Sequence, residues 1–148
     1  MKHGFKSALF KIIALTLILS LCAPCAVKAS AIEEIRPYAS NYLTAYNTYI
    51  CDMGNGEFQI WYEVLGKGTM DEIGVLSIEL YEVNSNGSLT WVKTFHHEDY
   101  SSMLFYNDDY IYTYTPFQGS SNKTYKAQVC IWAGKNGGGD TRYMWATE

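Results

Sequence analysis

TYKAQVCIWA, residues 124–133, alternates more cleanly than any other stretch of the chain. Successive side chains of an extended strand point to opposite faces. Tyr125, Ala127, Val129 and Ile131 therefore share one side, and Lys126, Gln128, Cys130 and Trp132 the other. The first side is apolar throughout, which marks a strand half buried against a core. EFQIWYEVL, residues 57–65, repeats the pattern, with Phe58, Ile60, Tyr62 and Val64 inward against Glu57, Gln59 and Glu63.

Outward from these two segments the same signal recurs about every dozen residues, separated by Gly and Asn clusters. Strands are expected over about 46–53, 57–65, 74–83, 90–96, 110–115, 124–133 and 141–147. Gly54-Asn55-Gly56 and Asn84-Ser85-Asn86-Gly87 read as hairpin turns, because Gly and Asn tolerate the positive φ that tight turns require. Gly66 to Glu72 reads as a loop, and Gly134 to Asp140 as a glycine-rich turn. In the third strand Leu76, Ile78 and Leu80 are expected inward, with Ser77, Glu79 and Tyr81 outward. Met144 of the seventh faces inward, with Tyr143 and Trp145 outward. Seven short strands, almost no Pro and a wealth of Tyr, Trp, Thr, Val and Ile define an all-β antiparallel domain, 45–148, with the strand count of an immunoglobulin-like β-sandwich.

The N-terminal region reads differently. Lys2, Lys6 and Lys11 precede an apolar run, Ile12 to Ala23, that is shorter than the ~20 residues of a membrane span. Val27-Lys28-Ala29 then presents small residues at a cleavage position, so residues 1–29 are expected to be a secretory signal peptide, cut after Ala29 or after Ala31. Residues 30–44 form a lead-in arm. Leu21 before Cys22 and Pro24 before Cys25 do not fit a lipid-attachment site, and the C-terminus carries no apolar tail. The product is expected to be secreted, with no stable membrane association.

The segment from residue 30 onward holds seven Lys and Arg against fifteen Asp and Glu, a net charge of −8. Nucleic acids and anionic lipid surfaces reward basic stripes, so both are excluded as partners. Two cysteines remain in it, Cys51 and Cys130. On alternation both face outward, on different sheets of a sandwich and beyond the reach of a bridge; a first strand that crosses to the other sheet would bring them together as a disulfide.

The Tyr125-x-Ala127-x-Val129 run resembles the penultimate strand of immunoglobulin-like and fibronectin type III domains, where a Tyr at this point forms the tyrosine corner. A wider set of segments comprises Gly66-Lys67-Gly68-Thr69-Met70-Asp71-Glu72-Ile73-Gly74, Trp91-Val92-Lys93-Thr94-Phe95, Tyr125 to Val129 and Ala133 to Arg142. Together they resemble a family of small exported proteins of Gram-positive, largely gut-dwelling bacteria that has no assigned function. The resemblance implies a fold and a compartment and carries no activity.

No catalytic constellation is present. There is no Gly-x-Ser-x-Gly, and neither thiol has an evident basic partner. His96-His97-Glu98-Asp99 is the one cluster of metal-type ligands, and it reads as a polar strand end, since zinc needs three or four ligands held in place. Asp71-Glu72 and Asn136 to Asp140 lack the spaced acids of a calcium loop. No cofactor and no metal is expected, and the chain is not expected to be an enzyme.

The aromatic residues are the feature that speaks to function. Tyr81, Trp132, Tyr143 and Trp145 all fall on outward positions of strands that share a sheet in an immunoglobulin-like topology. They are the candidate binding face, suited to stacking on sugar rings or to docking a protein surface. Trp61 and the series Tyr110, Tyr112, Tyr114 form a second, weaker set. The expected function is a non-catalytic extracellular binding or interaction module with a glycan or protein partner. A self-associating structural protein and a secreted inhibitor or antibacterial effector are the alternatives.

Overall fold

The computed structural model describes residues 40–148, which hold six strands: β1 (Leu43–Gly54), β2 (Glu57–Val83), β3 (Leu89–His96), β4 (Leu104–Gln118), β5 (Thr124–Lys135) and β6 (Gly138–Thr147). Every pairing is antiparallel, in one sheet of order β1-β2-β5-β6, with β3 and β4 also paired to β2. The expected signal peptide and cleavage site, Cys22, Cys25 and the expected arm up to residue 39 lie outside the described residues. Of the arm's remainder, Ser40 and Leu43 are buried, so the sheet takes in the end of the segment read as a lead-in.

The 27-residue strand β2 is the spine of the fold. Its first half lies between β1 and β4, with Ile60 opposite both Ile50 and Thr115. Its second half lies between β5 and β3, with Ile78 opposite Val129 and Phe95. The sheet curls along this strand, so that the inward faces of both halves close on one core. Phe58 of the first half meets Tyr125 of β5 edge-to-face, with ring centroids 5.0 Å apart.

Two of the seven expected strands are thus halves of one, and the expected loop Gly66 to Glu72 is strand. Its Gly and Lys do not end the strand; they bulge it. Between the pairs Leu65–Tyr110 and Met70–Asp108, β2 carries four residues where β4 carries one. Gly68 takes a positive φ of 79° in that bulge. Such an insertion bends a strand and increases its twist, which is what lets one strand serve both halves.

A second bulge corrects the inward set of the third expected strand. Pairing with β5 skips from Val75–Ile131 to Ser77–Cys130. Leu76 is the extra residue and is only half-buried, and the core side chains are Ile73, Val75, Ile78 and Leu80. Simple alternation carried Leu76 inward because it cannot see the parity change. The last hairpin is also tighter than expected. Asn136-Gly137 alone forms the turn, both with positive φ, and the remaining glycines continue β5 and β6.

The rest of the alternation holds. Phe58, Ile60, Tyr62, Val64, Tyr125, Ala127, Val129 and Ile131 are all buried, and Met144 packs on the core. Fully burying a large apolar side chain stabilises by about 1.5–3 kcal/mol, so this set dominates the folding free energy. The polar atoms inside are satisfied. Tyr62 donates to the Ser102 carbonyl (3.0 Å) and shares a bond with the Thr115 hydroxyl (3.2 Å). Thr48 donates to the Trp61 carbonyl at 2.8 Å. Tyr125 accepts the backbone N–H of Ser120, five residues upstream, at 2.9 Å.

Candidate functional site

The two halves of β2 present two outer faces, and each carries aromatic residues. On β2–β5–β6 the register puts Tyr81 and Lys126 in one row, Glu79, Gln128 and Trp145 in the next, then Ser77, Cys130 and Tyr143, then Gly74, Trp132 and Thr141. The four expected residues therefore do share a face. They do not form one surface of stacked rings. Tyr81 and Trp145 touch, with centroids 5.8 Å apart, while Tyr143, 67% exposed, stands apart from them.

Trp132 is tied into the structure. Its indole N–H donates to Glu72 at 3.1 Å, and its ring lies flat over Gly134 and Gly139, paired glycines of β5 and β6. A Cβ on Gly139 would sit 2.1 Å from the ring and one on Gly134 2.7 Å from it. The glycines are thus the floor under the indole. Tyr81 donates its hydroxyl to Glu79. Tyr143 bonds the Cys130 thiol, which holds the phenol's pKa above its usual value. Cys130 lies on the outward side as expected, but it is buried, not open to solvent, and it is a free thiol, so no bridge joins it to Cys51. The two residues belong to different faces, one opposite Gln59 on β2 and the other opposite Tyr143 on β6.

The face on β1–β2–β4 is the better assembled. Tyr49, Trp61 and Tyr114 are direct cross-strand partners, so three aromatic residues lie in one row across three strands. Tyr49 and Trp61 are parallel within 8°, with centroids 6.2 Å apart. Tyr114 and Tyr112 lie 4.7 and 4.9 Å from Trp61, tilted by 41° and 32°. Cross-strand aromatic pairs of this kind stabilise a sheet by about 0.2–1 kcal/mol each. The result is a shallow platform of four rings, with Tyr110 and Glu63 at its margin.

Its polar groups hold one another. The Tyr49 and Tyr112 hydroxyls are 2.8 Å apart, the Trp61 indole donates to Gln59 at 3.0 Å, and Tyr110 donates to Glu63 at 3.0 Å. Desolvation, followed by the Tyr112 bond, keeps Tyr49 protonated well past the usual range of a phenol, and the Glu63 bond raises Tyr110. The rings stay outward: Tyr110, Tyr112 and Tyr114 are exposed and Trp61 is half-buried. β1, the first ten residues of β2, and β4 contain no Lys or Arg; their charged residues are Asp52, Glu57, Glu63, Asp108 and Asp109, and of these Glu57 and Glu63 share the outward side of β2 with Trp61.

Alternation places Trp61 outward beside Gln59 and Glu63. On β4, Ile111, Thr115 and Phe117 face the core, which turns Tyr110, Tyr112 and Tyr114 out. The remaining polar motifs have structural roles. Asp71 accepts the backbone N–H of Asn136 at 2.6 Å and so braces the last hairpin. His97 pairs with Glu98 at 3.3 Å, and among the described residues no group of three metal-type ligands converges. No protein-family model, curated protein or solved structure matches the chain.

Proposed function

We propose that the protein is a secreted, non-catalytic binding module with an immunoglobulin-like architecture, exported by a Gram-positive bacterium and acting through the β1–β2–β4 outer face. One observation carries this reading: Tyr49, Trp61, Tyr112 and Tyr114 form a contiguous aromatic platform whose polar groups already hold one another in place. Preorganised rings offer large contact area at little entropic cost on binding. Contiguous exposed aromatic surface of this kind marks an interaction site. The signal-like N-terminus and the net charge of −8 from residue 30 onward agree with a soluble extracellular product.

The test is retention on extracellular material. The purified protein is applied to immobilised bacterial cell walls and to mucin, beside Trp61→Ala, Tyr114→Ala and Trp145→Ala. Retention that falls with the first two variants and survives the third supports the reading. No retention on either surface, or equal retention by all three variants, refutes it.

A second reading, self-association, is favoured by β3. This edge strand exposes Leu89, Trp91 and Val92 beside unpaired backbone groups, and apolar edges recruit further strands.

A further inference from the structure

Resting on the reading above, we infer that the ligand of the β1–β2–β4 platform is a neutral glycan, whose pyranose rings stack on Tyr49, Trp61 and Tyr114. Three features of the face select this chemistry. The first is shape. The rings lie side by side across three strands, parallel or tilted by at most 41°, and do not converge on a point. A cage for an ammonium group needs ring faces that surround the charge; an open platform suits a flat ligand that lies along it. The apolar C–H face of a pyranose is such a ligand.

The second feature is the spacing of polar groups among the rings. The Tyr49 and Tyr112 hydroxyls, the Gln59 amide and the Glu63 carboxylate alternate with the aromatic surface within a few ångströms of it. Each has hydrogen-bonding capacity beyond its present bond, because a carboxylate offers about four acceptor sites and an amide both donors and acceptors. Sugars present hydroxyl groups around the rim of each ring, so they use apolar and polar positions in the same alternation. An apolar protein surface would strip water from this remaining capacity and offer no hydrogen bond in return, which disfavours it against a sugar.

The third feature is charge. With no Lys or Arg on the three strand segments, whose charged residues are all acidic, and with Glu63 at the margin of the rings, the face repels uronic, sulfated or phosphorylated polymers. Neutral hexose and N-acetylhexosamine chains remain.

The experiment titrates the purified protein with cellohexaose, mannohexaose and chitohexaose. Heparin and a lysine-rich peptide serve as the anionic and cationic comparisons. Trp emission and isothermal titration calorimetry are read together. At least one neutral hexasaccharide is expected to bind and shift the emission. Its affinity is expected to fall about tenfold or more in Trp61→Ala and in Tyr114→Ala, and to stay unchanged in Trp91→Ala and Trp145→Ala. Silence toward all three neutral sugars overturns the inference, as does preference for heparin or for the peptide, or binding that survives both platform variants. If Trp61→Ala abolishes cell-wall or mucin retention while every sugar is silent, the binding-module reading stands and the glycan falls.

Discussion

Gly139→Ala separates two ideas of what Trp132 does. Gly139 lies on β6 outside the positive-φ region, so alanine meets no backbone strain there. On backbone grounds alone the substitution should stabilise by about 0.4–1 kcal/mol, by restricting the unfolded chain. The structure predicts the opposite sign, because the new methyl would sit 2.1, 2.5 and 2.7 Å from three atoms of the Trp132 ring. The indole must leave its glycine floor. A packed Trp buries about 150–250 Å²; re-exposing about 100 Å² costs about 2.5 kcal/mol at ~25 cal/mol/Å². The swing also breaks the bond from the indole N–H to Glu72, worth about 1 kcal/mol. The expected net loss is about 3 kcal/mol in urea denaturation, with a changed Trp near-ultraviolet circular dichroism signal. Gly137→Ala is the control. That residue has a φ of 75° and nothing within 4 Å of the new methyl, so it pays only the left-handed strain of about 1–2 kcal/mol and leaves the Trp signal alone. A Gly139→Ala protein as stable as the parent, with an unchanged Trp signal, would show that the indole is free of the glycines and available as a ligand surface.

Tyr62→Phe should cost about 1 kcal/mol at neutral pH, since the Thr115 hydroxyl and Ser102 carbonyl lose a partner. Burial raises the Tyr62 pKa above its ordinary 10.0. The folded state therefore holds its proton more tightly, and this contribution is full below pH 10 and is lost as pH rises through the folded value. Denaturation from pH 8 to 11.5 should show the gap between parent and variant narrowing; parallel curves would contradict the burial of this phenol. Ile60→Ala, at a fully buried position of the spine, should lose about 2–5 kcal/mol by the same assay. Tyr125→Phe should lose about 1 kcal/mol, because the Ser120 N–H is left without its acceptor. Trp91→Ser should change stability by less than about 0.5 kcal/mol. If β3 mediates assembly, the same variant should move concentrated samples toward monomer in analytical ultracentrifugation.

Strand alternation made most of the fold legible, because each half of the sheet has one buried side. Phe58 to Val64 and Tyr125 to Ile131 were readable residue by residue. What alternation could not show was continuity. Gly66-Lys67-Gly68 has the composition of a turn, and only pairing to β1 on one side and β4 on the other reveals a bulge inside one long strand. The Leu76 parity change has the same cause: a bulge leaves no compositional trace. The site was half legible. Tyr81, Trp132, Tyr143 and Trp145 do point to one face, but the glycine floor under Trp132 depends on the pairing of Gly134 with Gly139 across a hairpin. The Tyr49–Trp61–Tyr114 row joins residues far apart in sequence. Register alone aligns them, and register is set by two-residue turns and bulges that sequence patterns locate only loosely.

A platform that binds a ligand must stand open on the folded protein. Acrylamide quenching of Trp61 reports this in a variant carrying Trp91→Phe, Trp132→Phe and Trp145→Phe, checked for native circular dichroism and sized by chromatography with light scattering. A monomer whose single Trp is quenched efficiently, and whose quenching falls when a bound ligand is present, is the predicted result. Strong shielding of Trp61 in the unliganded protein, whether monomer or oligomer, would contradict the account.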